Sequence, residues 1–572
     1  MAVSAGVLSA DHRAASLSRM ASETFDVLVV GGGVTGTGCA VDAATRGLSV
    51  ALVEQRDYAS GTSSRSSKLI HGGLRYLEQY NFGLVREALG ERALLLRTVA
   101  PHLVRPVPFM FPFQRRVFDR LYIGAGVFLY DMLGLLGGVH AVPAHRHLSK
   151  RGALRIAPGL REDALVGAVQ YYDAQVDDAR HTMMLARTAA TYGTALATSA
   201  RVTDLLRDGE RVVGAAVHDL EADQDFTVRA RHVINATGVW TDEVNKFLGG
   251  RTNLEVRPSK GIHIVVPRAR VRLDTGLITK TEKSVLFVIP WPRHWIIGTT
   301  DTDYRLDRAH PAASHEDIQY VLDHVNEWVA DPLTFDDIEG VYVGLRPLVS
   351  EDPTRSTAAL SREHSVLQPI EGLTIIAGGK YTTYRVMAKD AVDAAARKLD
   401  QSVPSSITKD VPIVGATGYR ALRNSRKGLA QRSGLPVGVI DHLLGRYGSL
   451  IAEVLDLIDE RADLGEAIPG ADRYLKAEAV YAVRAEGALH LEDVLVRRMR
   501  ISIEESDGGL RAAETVVELI ADDLGWDETA RAHELDTYRA RIEAERAAHH
   551  ETTEEAAGAA RARAPEVRAG AA

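Results

Sequence analysis

Three glycines, Gly31, Gly33 and Gly36, stand at G-x-G-x-x-G spacing within GGGVTG. Glycine at these positions lets the backbone turn tightly and approach a pyrophosphate closely. The start of a following helix would add backbone N–H donors and a positive dipole end for the same anion. Glu54 closes the next strand-like run, SVALVE. A carboxylate there can accept ribose hydroxyls and repel an extra phosphate, which selects FAD or NAD over NADP. A second segment, RSSKLIHGGLRYLE from Arg65 to Glu78, gathers hydroxyls, a lysine, paired glycines and an arginine. That combination lets backbone approach an anionic ring while side chains meet a charged substrate.

These residues need elements to hold them. FDVLVV, Phe25 to Val30, reads as a buried strand, and the small-residue run after GGGVTG reads as a helix ending near Gly47. With SVALVE as a second strand, the three form one βαβ unit, whose crossover requires a parallel sheet. The expected fold class is α/β, with a Rossmann-type domain. Further β-rich stretches at 212–217, 231–235, 261–266, 285–289 and 295–298 suggest a second, mixed sheet interleaved with the first. Beyond about Pro404 the pattern turns helical: Ile451, Val454, Leu455 and Ile458 share a face, as do Leu510, Ala513, Val517 and Ile520. The expected organisation is a mobile extension over 1–23 and a dinucleotide domain over 24–105, 150–255 and 370–403. A substrate domain would span 106–149 and 256–369, a helical domain 404–546 and a solvated tail 547–572.

The chain has 572 residues, 45% hydrophobic and 25% charged, with a formal net charge of −8. That is a globular composition of several domains, without the basic excess that nucleic-acid binding calls for. Its single cysteine, Cys39, excludes an intrachain disulfide and a cysteine-cage metal site, and suits a reducing cytoplasm. Placed in the first helix, a small thiol reads as packing. No second glycine fingerprint follows another strand, so NAD as a second substrate is not expected.

GTSSRSSKLIHGGLRYLE, VINATGVWTDEV, KGIHIVVPR, FVIPW, IIGTTDTDY, GLRPL and GGKYTTYR occur in the order seen in FAD-dependent glycerol-3-phosphate dehydrogenases. The chain resembles that family over roughly residues 25–388, and more weakly at EDVLVRRMR, 492–500. The resemblance implies FAD as cofactor, glycerol 3-phosphate as substrate and a membrane quinone as electron acceptor; an oxidase using oxygen, an amino-acid-oxidase-like flavoenzyme and a flavin-binding scaffold or redox sensor are the alternatives. It also implies a homodimer at the cytoplasmic membrane. Arg75, Tyr76, Arg346, Arg362 and Lys380 would clamp the phosphate, a task that guanidinium forks suit. The residue after Arg362 departs from the family's usual Asp. His263 is the candidate base, because an unperturbed imidazole titrates near working pH; a structural or purely substrate-binding histidine is the alternative. Ser66, Ser67 and Lys68 would lie along the pyrophosphate and flavin, with Gly73 and Thr382 in the same motifs. Ala236, Thr237 and Gly238 would touch the adenosine half. Gly378 and Gly379, after the apolar run LTIIA, would open a helix whose N–H groups, with Lys380, face the flavin.

Residues 106–136 interleave Phe109, Phe111, Phe113 and Phe118 with Arg115, Arg116 and Arg120, a pattern suited to an interfacial anchor on anionic lipid; Asp131 interrupts its apolar second half, and a buried helix pair within the substrate domain is the alternative. His140, His145 and His147 lack an obvious acidic partner, and no metal is expected. Arg497, Arg498 and Arg500 read as a solvated or lipid-facing basic patch.

Overall fold

A computed structural model describes residues 6–78, 80–136, 141–248, 255–282, 285–350 and 363–568. Thr24–Val30 is apolar almost throughout because it runs at the centre of a sheet, parallel to Val50–Val53 on one side and Gln224–Asn235 on the other. The parallel order continues through Leu373–Gly378 and Ala195–Ala197, with His364–Leu367 antiparallel at one edge. Helices Val34–Thr45 and Tyr384–Ala396 pack together on this sheet. A Cβ at Gly38 would lie 3.0 Å from the Tyr384 ring, so glycine sets how closely they approach. Cys39 is buried in the same interface, where burial pushes its thiol pKa up, and it serves as a packing residue.

The second sheet is mixed. Glu255–Pro267 pairs antiparallel with His294–Gly298 and with Gly340–Ser350, whereas Gly276–Lys280 runs parallel to Arg105–Phe113. Ile262, Ile264 and Val266 point to one face, against Ile318, Val321 and Val325 of helix His315–Asn326. Residues 212–217 and 231–235 belong to the first sheet, not the second. Gly167–Gln175 lies in the second sheet, although it falls within the 150–255 dinucleotide segment. His364–Leu367 lies in the first, although it falls within 256–369. Strand-forming composition reveals that a segment pairs but not with which partner.

The anchor pattern in 106–136 also divides. Phe109, Phe111 and Phe113 are buried in strand Arg105–Phe113, and only Phe118 of the four aromatics is exposed. The exposed apolar set instead lies along helix Phe118–Leu136, where Leu121, Tyr122, Phe128 and Met132 recur at helical spacing. His140 falls outside the described residues; His145 does have an acidic partner, Asp131, at 2.7 Å.

The described segments near both termini are packed against the domains. Ala10–Ser22 is a helix capped by the Ser9 side chain, with Met20 buried and Arg13 paired to Asp219 at 2.5 Å. Helix Glu528–His550 runs through the domain's expected end, and Glu554–Arg561 follows it. Ala548, Ala557 and Ala560 pack on Ala312, and Arg568 bonds Ser199 and Asp493, both at 2.7 Å. Small residues and ion pairs hold this tail, so it shows no strong apolar period.

Arg497, Arg498 and Arg500 are buried, not solvated. Arg497 and Arg498 both bind Asp57, at 2.5 and 2.7 Å, and Arg500 binds Asp177 at 2.9 Å as well as Asp178. Asp57, Asp177 and Asp178 stand hundreds of positions away in the chain, and the local window shows only Glu492 and Asp493, which pair with Arg497.

Candidate active site

A cavity of about 570 Å³ lies between the two sheets, with the glycine turn at one end and strands of the second sheet at the other. Gly31 has φ +114°, and a Cβ on it would come within 2.7 Å of the Ala236 carbonyl oxygen. A Cβ on Gly36 would come within 1.9 Å of the Gly31 oxygen, so this third glycine serves helix–strand packing while Gly31, Gly33, Val34 and Thr35 face the cavity. Gly33 opens helix Val34–Thr45 with no side chain of its own to cap it, and the Val34 N–H donates to Ser63 Oγ at 2.9 Å beside the cavity. Glu54 lines the same end. Its Oε2 accepts from the Gly32 N–H at 2.6 Å and its Oε1 from the Arg56 N–H at 2.8 Å. Burial pushes its pKa up, opposed by those two N–H groups, and the carboxylate is fixed at the rim. Ala236, Thr237 and Gly238 line the wall opposite, and Thr237 Oγ1 donates to Asn235 at 2.6 Å. This end has the shape and donor set of a dinucleotide site.

The other end is built on strand periodicity. Gly261 and His263 share the cavity-facing side of Glu255–Pro267, while Ile262 and Ile264 enter the core. Gly261 is required by its neighbours: a Cβ there would come within 2.4 Å of Thr299 Oγ1 and 2.7 Å of the Arg346 guanidinium. Arg346 sits opposite Ser259 in the ladder and donates to Ser259, Asp301, Thr299 and the Thr300 carbonyl, at 3.2 to 3.3 Å. His263 stacks on Tyr342, with ring centroids 4.7 Å apart and planes 11° apart, and a hydrogen bond of 2.9 Å joins its Nε2 to Ser67 Oγ. Burial first, then the Arg346 and Lys68 cations, holds the imidazole well below its ordinary 6.5. His263 is therefore neutral at pH 7. It is not the near-neutral titrating group that its residue type suggests, but its neutral form is the one that can accept a proton.

Lys380 places its Nζ 3.4 Å from the centroid of the Tyr76 ring, and both residues line the cavity. Gly378 and Gly379 take φ values of +75° and +82°. A short turn, Tyr381–Thr383, then leads into helix Tyr384–Ala396, so the helical start follows these glycines by a few residues. Thr382 bonds the His71 backbone through both its acceptor and its donor, at 3.1 and 3.2 Å. Gly73 has φ +75°, and a Cβ would come within 2.3 Å of the Tyr76 ring. It shapes the loop without lining the cavity. Ser66 and Ser67 line it, but Lys68 turns its ammonium away to Asp178 at 2.8 Å and to the Ser64 carbonyl at 3.1 Å. Desolvation of a buried lysine is offset by that pairing, which explains why it does not reach into the cavity. Arg362 and the Arg75 side chain lie outside the described residues.

Three residues of the site escaped notice in the sequence. Tyr342 lies on the same face as Gly344 and Arg346 by the two-residue strand period, which is the signal that could have found it. Asp301 stands in IIGTTDTDY and fixes Arg346. Arg56, beside Glu54 in the cavity wall, lies 5.9 Å from the Trp240 ring; no local pattern announces that contact.

Residues 26–385 match the model of the FAD-dependent oxidoreductase family, and residues 406–531 match the C-terminal domain of alpha-glycerophosphate oxidase. The chain belongs to the FAD-dependent oxidoreductase family. Within it, the oxidoreductase is 54% identical to a glycerol-3-phosphate dehydrogenase of Mycobacterium leprae, over 99% of this chain and 96% of that one. It is 38% identical to the mitochondrial glycerol-3-phosphate dehydrogenase of Homo sapiens, over 90% of this chain and 72% of that one. The crystal structure of a glycerol-3-phosphate dehydrogenase from Bacillus halodurans, complexed with FAD, superposes with a TM-score of 0.77 at 29% identity and covers 94% of this chain and 98% of that one. A glycine oxidase from Geobacillus kaustophilus, at 20% identity and a TM-score of 0.50, shares the fold alone. The oxidoreductase is thus an enzyme of the glycerol-3-phosphate dehydrogenase group, and its cofactor is FAD. The glycine turn, the fixed Glu54 and the long cavity fit that group's dinucleotide half.

Proposed function

We propose that the enzyme oxidises sn-glycerol 3-phosphate to dihydroxyacetone phosphate and passes the electrons to a membrane quinone. FAD, when bound, supplies the two-electron acceptor for the hydride leaving C2. The carrying observation is that His263, Arg346 and Lys380 open onto one cavity with the glycine turn. Arg346 and Lys380 hold the substrate's phosphate and fix C2 in place, with Tyr76 in the wall; the roles given to Arg75 and Arg362 rest on the sequence resemblance alone. Neutral His263 takes the C2 hydroxyl proton, and Ser67 together with the stacked Tyr342 sets its ring orientation. Ser66 and Ser67, with Gly378, Gly379 and Thr382, flank the side of the cavity that would take the isoalloxazine. A carboxylate-selective amino-acid oxidase would not need so many cations.

Among the described residues no helix is long and apolar enough to cross a membrane. Support for peripheral contact comes from helix Phe118–Leu136, whose Phe118, Leu121, Tyr122 and Phe128 are each more than half exposed, next to exposed Arg115, Arg116 and Arg120. Apolar side chains beside cations favour the boundary of an anionic bilayer. In this reading the enzyme works at the cytoplasmic face of the membrane as a homodimer.

The test is anaerobic. Glycerol 3-phosphate added to the purified flavoenzyme should bleach the visible flavin absorption, and a soluble quinone should restore it. Bleaching by glycine or D-alanine but not by glycerol 3-phosphate would overturn the substrate. Stoichiometric hydrogen peroxide in air with no quinone turnover would replace the acceptor by oxygen.

A further inference from the structure

A second, smaller cavity of about 60 Å³ lies behind the His263–Tyr342 stack, between the second sheet, the Ser64–Arg65 segment and the two C-terminal helices. A water needs about 10–15 Å³ on this measure, so the space admits a tetrahedral oxyanion. Among the described residues four arginines line it, Arg65, Arg500, Arg541 and Arg561, against one carboxylate, Glu545. Arg500 is neutralised by Asp177 and Asp178. Arg541 bonds two carboxylates and is held charged, so the shortfall of counter-charge falls on Arg65 and Arg561. Glu545 is shared between Arg541 at 2.9 Å and Arg561 at 3.4 Å, and Glu492 between Arg541 at 2.9 Å and Arg497 at 3.0 Å. Arg65 donates to the Ala309 carbonyl at 3.4 Å, and among the described residues no carboxylate pairs with it. Burial and then neighbouring Arg541 push Arg65 down to about 10, and burial also lowers Arg561. A buried cation short of counter-charge is costly, and an anion received by several guanidinium forks removes that cost.

We propose that this cavity binds one small oxyanion of the inorganic phosphate or sulfate class, held by Arg65, Arg541 and Arg561. The anion would join three parts of the chain: Arg65, two residues before Ser67; Arg541 of the long helix; and Arg561 of the tail helix. Tyr342 forms part of its wall and carries His263 on its other face. Occupancy would brace the tail against the back of the active site. This inference does not depend on the identity of the substrate.

Inorganic phosphate is titrated by calorimetry into the full-length, FAD-loaded oxidised enzyme, into Arg561→Gln, and into Ser502→Leu, which fills the cavity without removing a guanidinium. The wild type should bind two phosphates per chain, one of them in the substrate pocket, and each variant should bind one. Melting and flavin spectra identify any variant that has not folded, in which case the other decides. A single wild-type phosphate that both variants lose keeps this inference and counts against the phosphate clamp of the proposed function. Equal stoichiometry in the wild type and a folded variant, or no phosphate bound by the wild type, overturns it. Sulfate should compete for the site, and chloride at the same concentration should not displace the anion.

Discussion

Replacing Asp57 by asparagine should destabilise the enzyme far more than a single amide would suggest. Asp57 is fully buried and accepts from Arg497 Nε at 2.5 Å and from Arg498 Nη1 and Nη2 at 2.7 and 2.8 Å. Arg497 keeps Glu492 and Asp493, but among the described residues the other acceptor of Arg498 is the Glu486 carbonyl. The amide retains the side chain's shape and one oxygen while removing the charge, so Arg498, with 1% of its surface exposed, is left as an uncompensated cation. Breaking one partner of a buried pair costs about 3–5 kcal/mol. Native domains are stable by about 5–15 kcal/mol, so the open population should rise by roughly a hundred-fold to several thousand-fold. Asp57 follows shortly after Glu54, and Arg498 belongs to the helical domain, so undocking should loosen the dinucleotide end of the cavity. Denaturant titration followed by flavin fluorescence should show a lower midpoint at unchanged slope. Asp163→Asn, at the exposed Arg161–Asp163 pair, should leave the midpoint unchanged. The double variant Asp57→Asn with Arg498→Met should recover much of the loss, because it removes both charges. A midpoint for Asp57→Asn within about 0.5 kcal/mol of wild type would refute the buried-charge argument.

His263→Asn should slow flavin reduction by glycerol 3-phosphate by about 10²-fold or more while FAD content is kept; equal rates in a stopped-flow experiment would remove His263 from proton transfer. Because its pKa is held well below 6.5, the wild-type reduction rate should stay flat from pH 8 down to 6.5, and an acid limb inside that range would contradict the burial argument. His490 bonds Glu221 at 2.9 Å and Glu534 at 2.7 Å, and against burial and Arg568 these carboxylates push it up to about 9. A folded pKa above the unfolded 6.5 means that its stabilisation is complete below pH 6.5 and is lost as pH rises through 9. His490→Gln should therefore flatten the fall in melting temperature between those values, and an unaltered slope would assign the fall to other groups. The triple change Phe118→Ser, Leu121→Ser and Phe128→Ser removes side chains worth about 1.5–3 kcal/mol each on full burial, so it should abolish co-sedimentation with anionic vesicles; retained binding would place the membrane contact elsewhere.

What the sequence determined by itself is whatever chemistry repeats over a short stretch of chain. GGGVTG needs only its own strand and helix to make a pyrophosphate turn, and Gly261 and His263 share a face because strand side chains alternate. The helical faces around Ile451–Ile458 and Leu510–Ile520 follow from their period. The order of the long motifs identified the flavoenzyme family before any fold was known. Tertiary structure decided everything that depends on a distant partner. Lys68 reads as a cofactor contact until Asp178 claims it, and Arg497, Arg498 and Arg500 read as surface until Asp57, Asp177 and Asp178 neutralise them. The tail reads as solvated until Lys260, Asp493 and Ser199 receive Glu554 and Arg568. His263 kept its place in the cavity but not its ordinary titration, because burial and two nearby cations are properties of the folded neighbourhood. A charge in sequence carries only its sign, and the fold alone decides whether water, a carboxylate or a ligand answers it.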